Sequence, residues 1–584
     1  MKAELERLIA AALQTLPDIP ATALEGVNPG IERTRDAGHG DYASNVALRL
    51  AKLARKPPRE LASAIVAALP ASPLVRHAEV AGAGFINFHL AADAHTAVLA
   101  RVFEQGERYG TSDSGKGQPV LLEFVSANPT GPMHVGHGRQ AAYGATLANL
   151  LAANGFAVQR EYYINDAGRQ MDILTASVWV RYLQLLGEEL PFPENGYRGD
   201  YVRPIAAQLA NAHGEALRQP ATAVLIGLPP DAPDGDKDQY IDALIARMRE
   251  LLGGVAYLQV LQLALTAMLA DIRSDLDAFG VHFDRWSSER ELTASGAIGH
   301  AVERLEKGGH LYRKDGAVWF RSTTFGDDED RVLVRANGQY TYFAPDIAYH
   351  LHKRERDRAQ LIDVLGADHH GYVARLRGAL MAMGEPGDCL EVCLIQFVSL
   401  FRGGEKIPMG KREAQFVTLR QLREEVGNDA CRLFYLMRSH DQPLDFDLEL
   451  AKSRSNENPV YYIQYAHARV ASVMKQLEAR GLGFDRATAL TQLDRLDGLH
   501  EQAVLQQLAR YPEVVAAAGA QRAPHALVHY LRELANSFHT WYNAAPFIVE
   551  DVPLRNARLA LAQGVAQVIR NALALLGVSA PESM

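Results

Sequence analysis

Two histidines, His134 and His137, stand one helical turn apart where the chain turns from strand to helix, a setting suited to phosphate. They belong to His134-Val135-Gly136-His137, at the point where the run PVLLEFVSANPTGPMHVGHGRQAAYGATLANLLAANG (119–155) turns helical. Free amides at a helix start, with its partial positive charge, favour an anion such as phosphate. Gly136 lets a flat ligand lie against the backbone, and both imidazoles can donate to phosphate oxygens. Rival phosphate cradles are missing: there is no G-x-x-x-x-G-K-[ST], and G-x-G-x-x-G does not fit this turn. Taken in isolation, H-x-G-H reads more readily as a histidine pair capping an ordinary helix. A second candidate is cationic. Residues 401–418, FRGGEKIPMGKREAQFVT, offer Gly403-Gly404 for flexing and Lys406, Lys411 and Arg412 for charge. Standing alone, that stretch is a solvated basic turn.

The elements around these residues point to an α/β core. Residues 120–122 with 124–125 are apolar on both faces, as in a buried parallel strand, and Asn128-Pro129 and Gly131-Pro132 end it. Helical spacing then runs from about His134 to a stop at Asn154-Gly155. A second strand over 158–164 ends at Asn165-Asp166, beside the crevice expected at the carboxyl ends of parallel strands. Helices over 170–186 lead into a mostly helical insertion at about 187–284 between two halves of a nucleotide-binding fold. A hairpin follows, with strands over 317–322 and 331–335, a turn at Asn337-Gly338 and a strand over 339–343. Central parallel strands are expected over 361–365 and 392–398. From Gly427 the pattern is helical: 430–438 capped by Asn428-Asp429, then segments around 460–480, 496–510, 524–543 and 554–576, a bundle. Before the core, a helix over 2–16, a helical pair across 44–69 and strands near 78–90 suggest a small α+β unit. The expected domains are 1–112, 113–426 and 427–584.

The chain has 584 residues, too many for one core, and 48% hydrophobic with 22% charged residues is an ordinary globular balance. No apolar run is read as reaching membrane-spanning length, and the acidic residues in MKAELERLIAAAL argue against a signal peptide. Cys389, Cys393 and Cys431 are too few for a disulfide scaffold, and Cys389-x-x-x-Cys393 lacks the partners of a zinc site. Buried thiols, no resident metal and a reducing, cytoplasmic setting are expected. A net charge of −9 argues only mildly against nucleic acid, because the local field near phosphates is what matters.

The segment 127–137 resembles the HIGH signature of class I aminoacyl-tRNA synthetases, with Val135 for the usual isoleucine. EFVSANPTGPMHVGH, EYYINDAGRQMD at 161–172 and NPVYYIQYAHAR at 458–469 resemble arginyl-tRNA synthetases of the bacterial type. GHGDYASNVALRLAK and GAGFINFHL resemble the extra N-terminal domain of that family, which touches the outer corner of tRNA. The resemblance implies a Rossmann-like class I catalytic domain, a small tRNA-contacting α+β domain and a helical anticodon-binding bundle. It implies ATP with Mg2+, L-arginine and tRNA(Arg) as substrates and partners, no membrane and a monomer.

By the same resemblance His134 and His137 serve the phosphates of ATP. Met409-Gly410-Lys411-Arg412 stands where the class carries KMSKS, with Pro408 for the first Lys and Gly410 for the Ser. Lys411 holds the second Lys position, and Lys406 is available for the missing one. Glu123, Asn128, Tyr342 and Asp346 match arginine-contacting positions. Ser126 and Asn128 would take the amino acid's ammonium and carboxylate. Asp346 could equally cap a helix beginning near Ile347. Gly136, Gly366, Asp368, His369 and Met409 would line ATP. Tyr461, Tyr465 and Arg469 could stack with unpaired anticodon bases, or lie in the bundle core. Two other functional classes compete: a small-molecule nucleotidylyltransferase with the same H-x-G-H, and a catalytically silent tRNA-binding relative.

Overall fold

The central strand Pro119–Phe124 is the middle of a five-stranded, all-parallel sheet ordered Leu390–Ile395, Gln360–Gly366, Pro119–Phe124, Ala157–Ile164, Arg285–Ser288. The computed structural model describes every residue except 18, 21–23, 25, 35–36, 92–93, 358 and 409–416. The chain fills one side of the central strand first, then returns to fill the other. Strand order therefore reverses beside Pro119–Phe124, which opens a crevice at the carboxyl ends of the strands. Val120, Leu121, Leu122 and Phe124 are all buried, as a strand covered on both faces demands.

Helix Val135–Ala153 crosses from the central strand to Ala157–Ile164. Gly144 permits close contact there, since a Cβ at that position would lie 2.3 Å from Cγ of Phe124. The other side of the helix meets the C-terminal bundle. Tyr143 Oη donates to the Arg522 carbonyl (2.8 Å), Asn149 Nδ2 to Leu575 (3.0 Å) and Asn154 Nδ2 to Val515 (3.1 Å). One continuous apolar core runs from Leu99 and Leu122 through Leu147 to Leu508, Leu561 and Leu576.

The insertion comprises helices Arg169–Leu185, Val202–His213, Ala221–Leu225 and Lys237–Ala278, with its own core around Trp179, Ile205, Ile241 and Met248. Lys237–Ala278 bends at Gly253, whose φ of 70° and ψ of 168° are not helical. The expectation about apolar length needs correction, because Lys237–Ala278 and Val552–Leu576 are both long and apolar enough to cross a membrane. Val552–Leu576 is the buried centre of the bundle, with Leu559, Leu561, Val565 and Leu573 fully covered. Lys237–Ala278 packs one face on the other helices of the insertion.

Other expectations are revised locally. Residues 339–343 do not form a strand: Tyr340 makes a single bridge to Val334, and helix Phe343–Asp357 begins at once. Asp346 therefore lies inside the first turn of that helix and does not cap it. The 392–398 run divides between Leu390–Ile395 in the central sheet and Val398–Arg402, which pairs with Glu405–Lys406 and Leu444–Asp447. Helix Leu499–Ala520 continues through Pro512, where an internal proline would ordinarily stop a helix.

The N-terminal residues form a four-stranded antiparallel sheet, ordered Ile31–Arg33, Tyr42–Ser44, Phe85–Leu90, Val75–Ala81, packed on helices Lys2–Thr15, Val46–Ala54 and Pro58–Ala68. Arg33 and Tyr42 both bond Glu513 of the bundle, at 2.9 and 2.6 Å.

Candidate active site

His134 is the N-cap of helix Val135–Ala153. Its Nδ1 accepts from the Gly136 amide (3.1 Å), and Nδ1 of His137 accepts from the His134 amide (3.3 Å). The two rings stack 3.6 Å apart. A neutral imidazole that accepts at Nδ1 carries its hydrogen on Nε2. Capping and phosphate donation are thus compatible: Nδ1 serves the helix, and each ring is set as a donor through Nε2. Gly136 has no room for a side chain, since a Cβ would lie 2.9 Å from His134 Cε1.

The cationic loop is rooted on this turn. Val135 N donates to the Val417 carbonyl (3.3 Å), His134 bridges Thr418, and Leu419 N donates to the Met133 carbonyl (2.8 Å). Met409 and Lys411 lie outside the described residues. Lys406 is exposed on the short strand Glu405–Lys406, paired with Phe401-Arg402 at the other root of the loop.

The carboxyl ends of three neighbouring strands of the sheet gather acids. Glu123 lies within the central strand, Asp166 just after Ala157–Ile164, and Glu289 directly after Arg285–Ser288. Asp346 comes in from helix Phe343–Asp357. All four press on Tyr163: burial first, then Glu289, Asp346, Glu123 and Asp166, hold its hydroxyl protonated far above the ordinary range. Burial, then Asp346 and Asp166, push the Glu289 carboxyl up to about 7. Asp346 is also raised, chiefly by burial, although a hydrogen bond with the Tyr372 hydroxyl opposes the shift. Asp166 is fixed by Ser288 Oγ (2.7 Å) and the Arg290 amide (3.0 Å). Carboxyls pushed up by one another form a site that gains from a bound cation.

The resemblance set Glu123, Ser126, Asn128, Tyr342 and Asp346 against the same ligand, and they differ in placement. Glu123 is buried; one oxygen pairs with Lys353 and the other accepts from Ser126 Oγ at 2.8 Å. Ser126 Oγ in turn accepts from the Tyr163 amide (3.1 Å). Val125 and Ser126 have positive φ, 69° and 40°, which costs energy for residues with side chains. Asn128 is exposed, donating to Gln170 Oε1 (2.9 Å), and Tyr342 is 76% exposed at the rim.

On the other side of the central strand, Gly366 ends Gln360–Gly366 and faces Gln140 of the H-V-G-H helix; a Cβ there would come within 3.5 Å of Gln140 Nε2 and 2.4 Å of Asp368 Oδ1. Asp368 and His369 are exposed in the turn Ala367–Tyr372 that follows. Among the described residues two groups have metal-ligand geometry: His77, Glu79 and His89, and Glu123, His350 and Asp363. Neither includes the H-V-G-H turn, and the Lys353 ammonium already bonds Glu123 and Asp363.

In the bundle, Tyr461 stacks on Tyr465 (5.6 Å), and the Arg469 guanidinium lies over Tyr465 (4.4 Å) and Tyr542 (4.5 Å). Tyr461, Tyr465 and Arg469 are half-buried along helix Pro459–Ala479, whereas Ile463, Ala466 and His467 of the same helix are buried. Glu289, Tyr163 and Lys353 were missed in the sequence. The only local signal was Asn165-Asp166 at a strand end.

Three family models match in chain order: Arginyl tRNA synthetase N terminal domain over 3–90, tRNA synthetases class I (R), catalytic domain over 98–189, and DALR anticodon binding domain over 463–584. With H-x-G-H opening the helix after the middle strand of a parallel sheet, they define a class I aminoacyl-tRNA synthetase. The chain is 58% identical to the arginine–tRNA ligase of Thioalkalivibrio sulfidiphilus and 54% identical to that of Halorhodospira halophila, each across 100% of both chains. It belongs to the arginine–tRNA ligase family. Its fold is like that of Thermus thermophilus arginyl-tRNA synthetase, with a TM-score of 0.75 across 100% of both chains at 24% identity.

Proposed function

We infer that the chain is an arginine–tRNA ligase, joining L-arginine to tRNA(Arg) at the expense of ATP. The observation that carries the residue roles is the juxtaposition at one strand-order reversal of a phosphate-type helix start and a cluster of carboxyls, two of them raised by burial and by their acidic neighbours. In this reading the arginine guanidinium enters among Glu289, Asp346 and Asp166, under the rim of Tyr342. Guanidinium is always charged and pairs with carboxylate in a planar fork. The arginine carboxylate attacks the α-phosphate of ATP, pyrophosphate leaves, and a hydroxyl of the terminal ribose at the 3′ end of the tRNA then displaces AMP from the arginyl carbonyl. Nε2 of His134 and of His137, with a lysine of the loop, neutralise the charge gathering on the phosphates. Gly136, Gly366, Asp368, His369 and Met409 line the nucleotide.

ATP enters as its magnesium complex, with Mg2+ carried on the phosphates as this ion commonly is. Tyr461, Tyr465 and Arg469 form the stacking platform for anticodon bases. One chain supplies the acid pocket, the phosphate turn and the platform, so the monomer is the proposed active unit. The free, buried thiols of Cys389, Cys393 and Cys431 suit the cytoplasm. The test is Asp346→Asn, which keeps size but removes the charge. Losing a partner in such a pair costs about 2–5 kcal/mol. The arginine KM should rise steeply while the ATP KM stays within a factor of about two. Unchanged arginine binding would place the pocket elsewhere.

A further inference from the structure

Three carboxylates lie side by side across the sheet beneath the acid pocket. Glu161, Glu123 and Asp363 are register partners on three adjacent parallel strands, so their side chains leave the same face. All three are buried, at 0, 6 and 1% exposure. Like charges placed directly opposite across strands are unfavourable, and burial makes an unpaired one costly. The compensation comes from one face of helix Phe343–Asp357. Tyr349 Oη donates to Glu161 (2.9 Å), Arg356 pairs with Glu161, and Lys353 pairs with both Glu123 and Asp363, the latter at 3.0 Å. His350 completes the row: Nε2 faces Asp363 Oδ2 and Nδ1 faces the Asp346 carbonyl oxygen, each at 2.7 Å. Both ring nitrogens meet acceptors, so both carry hydrogen and the ring is an imidazolium. Three anions thus face three cations.

The same helix carries Asp346 in its first turn, and the same Glu123 holds Ser126 in the strained turn opposite. Lys353, with no exposed surface, joins the two walls directly through its bond to Glu123. We propose that Lys353 is a positioning residue for arginine, its ammonium locking the Asp346 helix to the Glu123–Ser126 turn and so setting the spacing of the amino-acid pocket. It touches no substrate and acts through Asp346 and Ser126. The proposal rests on the arginine reading above, and arginine-dependent pyrophosphate exchange by the unaltered chain tests that reading separately.

The experiment compares full-length Lys353→Met with Lys353→Met/Asp363→Asn, which removes one charge of each sign. Asp363→Asn alone, which keeps Lys353 on Glu123, is the control for the lost bond between Asp363 and His350 and should leave the arginine KM within about twofold. Lys353→Met leaves a buried anion uncompensated and should lower Tm sharply. The double variant should recover most of the Tm, because its charges balance again. Its arginine KM should nonetheless stay raised by about tenfold or more, with the ATP KM within about twofold, because the bridge between the walls is gone. An arginine KM that returns to the unaltered value along with Tm would overturn the proposal and leave Lys353 a purely neutralising group. Equal changes in both KM values would overturn it too. If the single variant does not fold, the double variant alone decides.

Discussion

Replacing Glu289 by glutamine removes a carboxyl that burial, with Asp346 and Asp166, pushes up to about 7. A group with that pKa is about one-tenth ionised at pH 6 and about nine-tenths ionised at pH 8. Guanidinium stays charged throughout and pairs with the ionised carboxylate. The arginine KM of the unaltered chain should therefore fall about tenfold from pH 6 to pH 8, approaching one decade per pH unit below 7. At pH 8 the glutamine variant loses a charged partner. Because Glu289 is half-buried, the low end of the usual range applies, about 2 kcal/mol or roughly thirtyfold in KM. At pH 6 the two proteins should differ far less.

Stability should move in the opposite sense. With a folded value above the ordinary 4.5, Glu289 holds a proton that the unfolded chain releases, so its contribution is full below about pH 4.5 and is lost as pH rises towards 7. Pyrophosphate exchange with tRNA present, run at pH 6, 7 and 8 with arginine varied and then ATP varied, measures the effect. An arginine KM that is flat across this range, or the same slope in Glu289→Gln, would refute the acid-pocket reasoning.

Three further outcomes follow from the geometry. His134→Ala and His137→Ala should each slow adenylate formation by on the order of a hundredfold or more while leaving arginine affinity nearly intact, and near-normal turnover would remove the phosphate role. Each should also cost about 1 kcal/mol of stability, seen as a lower Tm, because each Nδ1 caps the helix start. Lys411→Ala should damage pyrophosphate exchange more than Lys406→Ala; the reverse order would make Lys406 the working residue of the loop. Truncation after residue 455 should give an insoluble or unfolded core, because it strips Arg522, Leu575 and Val515 from Tyr143, Asn149 and Asn154; a soluble, cooperatively melting fragment would contradict the single-core description.

The strand–turn–helix over 119–155 was legible because its signals are local: apolar residues on both strand faces, two prolines in the turn, helical spacing afterwards. The bundle was legible for the same reason. Arg285–Ser288 was not, being four residues long and largely polar, and with it Glu289 escaped notice. Tyr342-Phe343 looked extended, yet the helix begins at Phe343 with Pro345 in its first turn, where a missing amide costs little. His350, Lys353 and Arg356 look in sequence like a solvated charged face. Only the pairing of three distant strands buries that face, and strand register across about 240 residues leaves no trace in local spacing. The resemblance supplied candidates for the arginine pocket where composition could not, and the Lys353 pairing moves Glu123 towards a supporting place among them.

Arginine transfer to tRNA is read out by charging of total tRNA by the purified full chain, with ATP and radiolabelled amino acids offered one at a time. Acid-precipitable label should appear with arginine, dependent on ATP and confined to arginine acceptors, and none above background with lysine. Labelling with another amino acid in place of arginine, or no ATP-dependent labelling from a folded preparation, would contradict it.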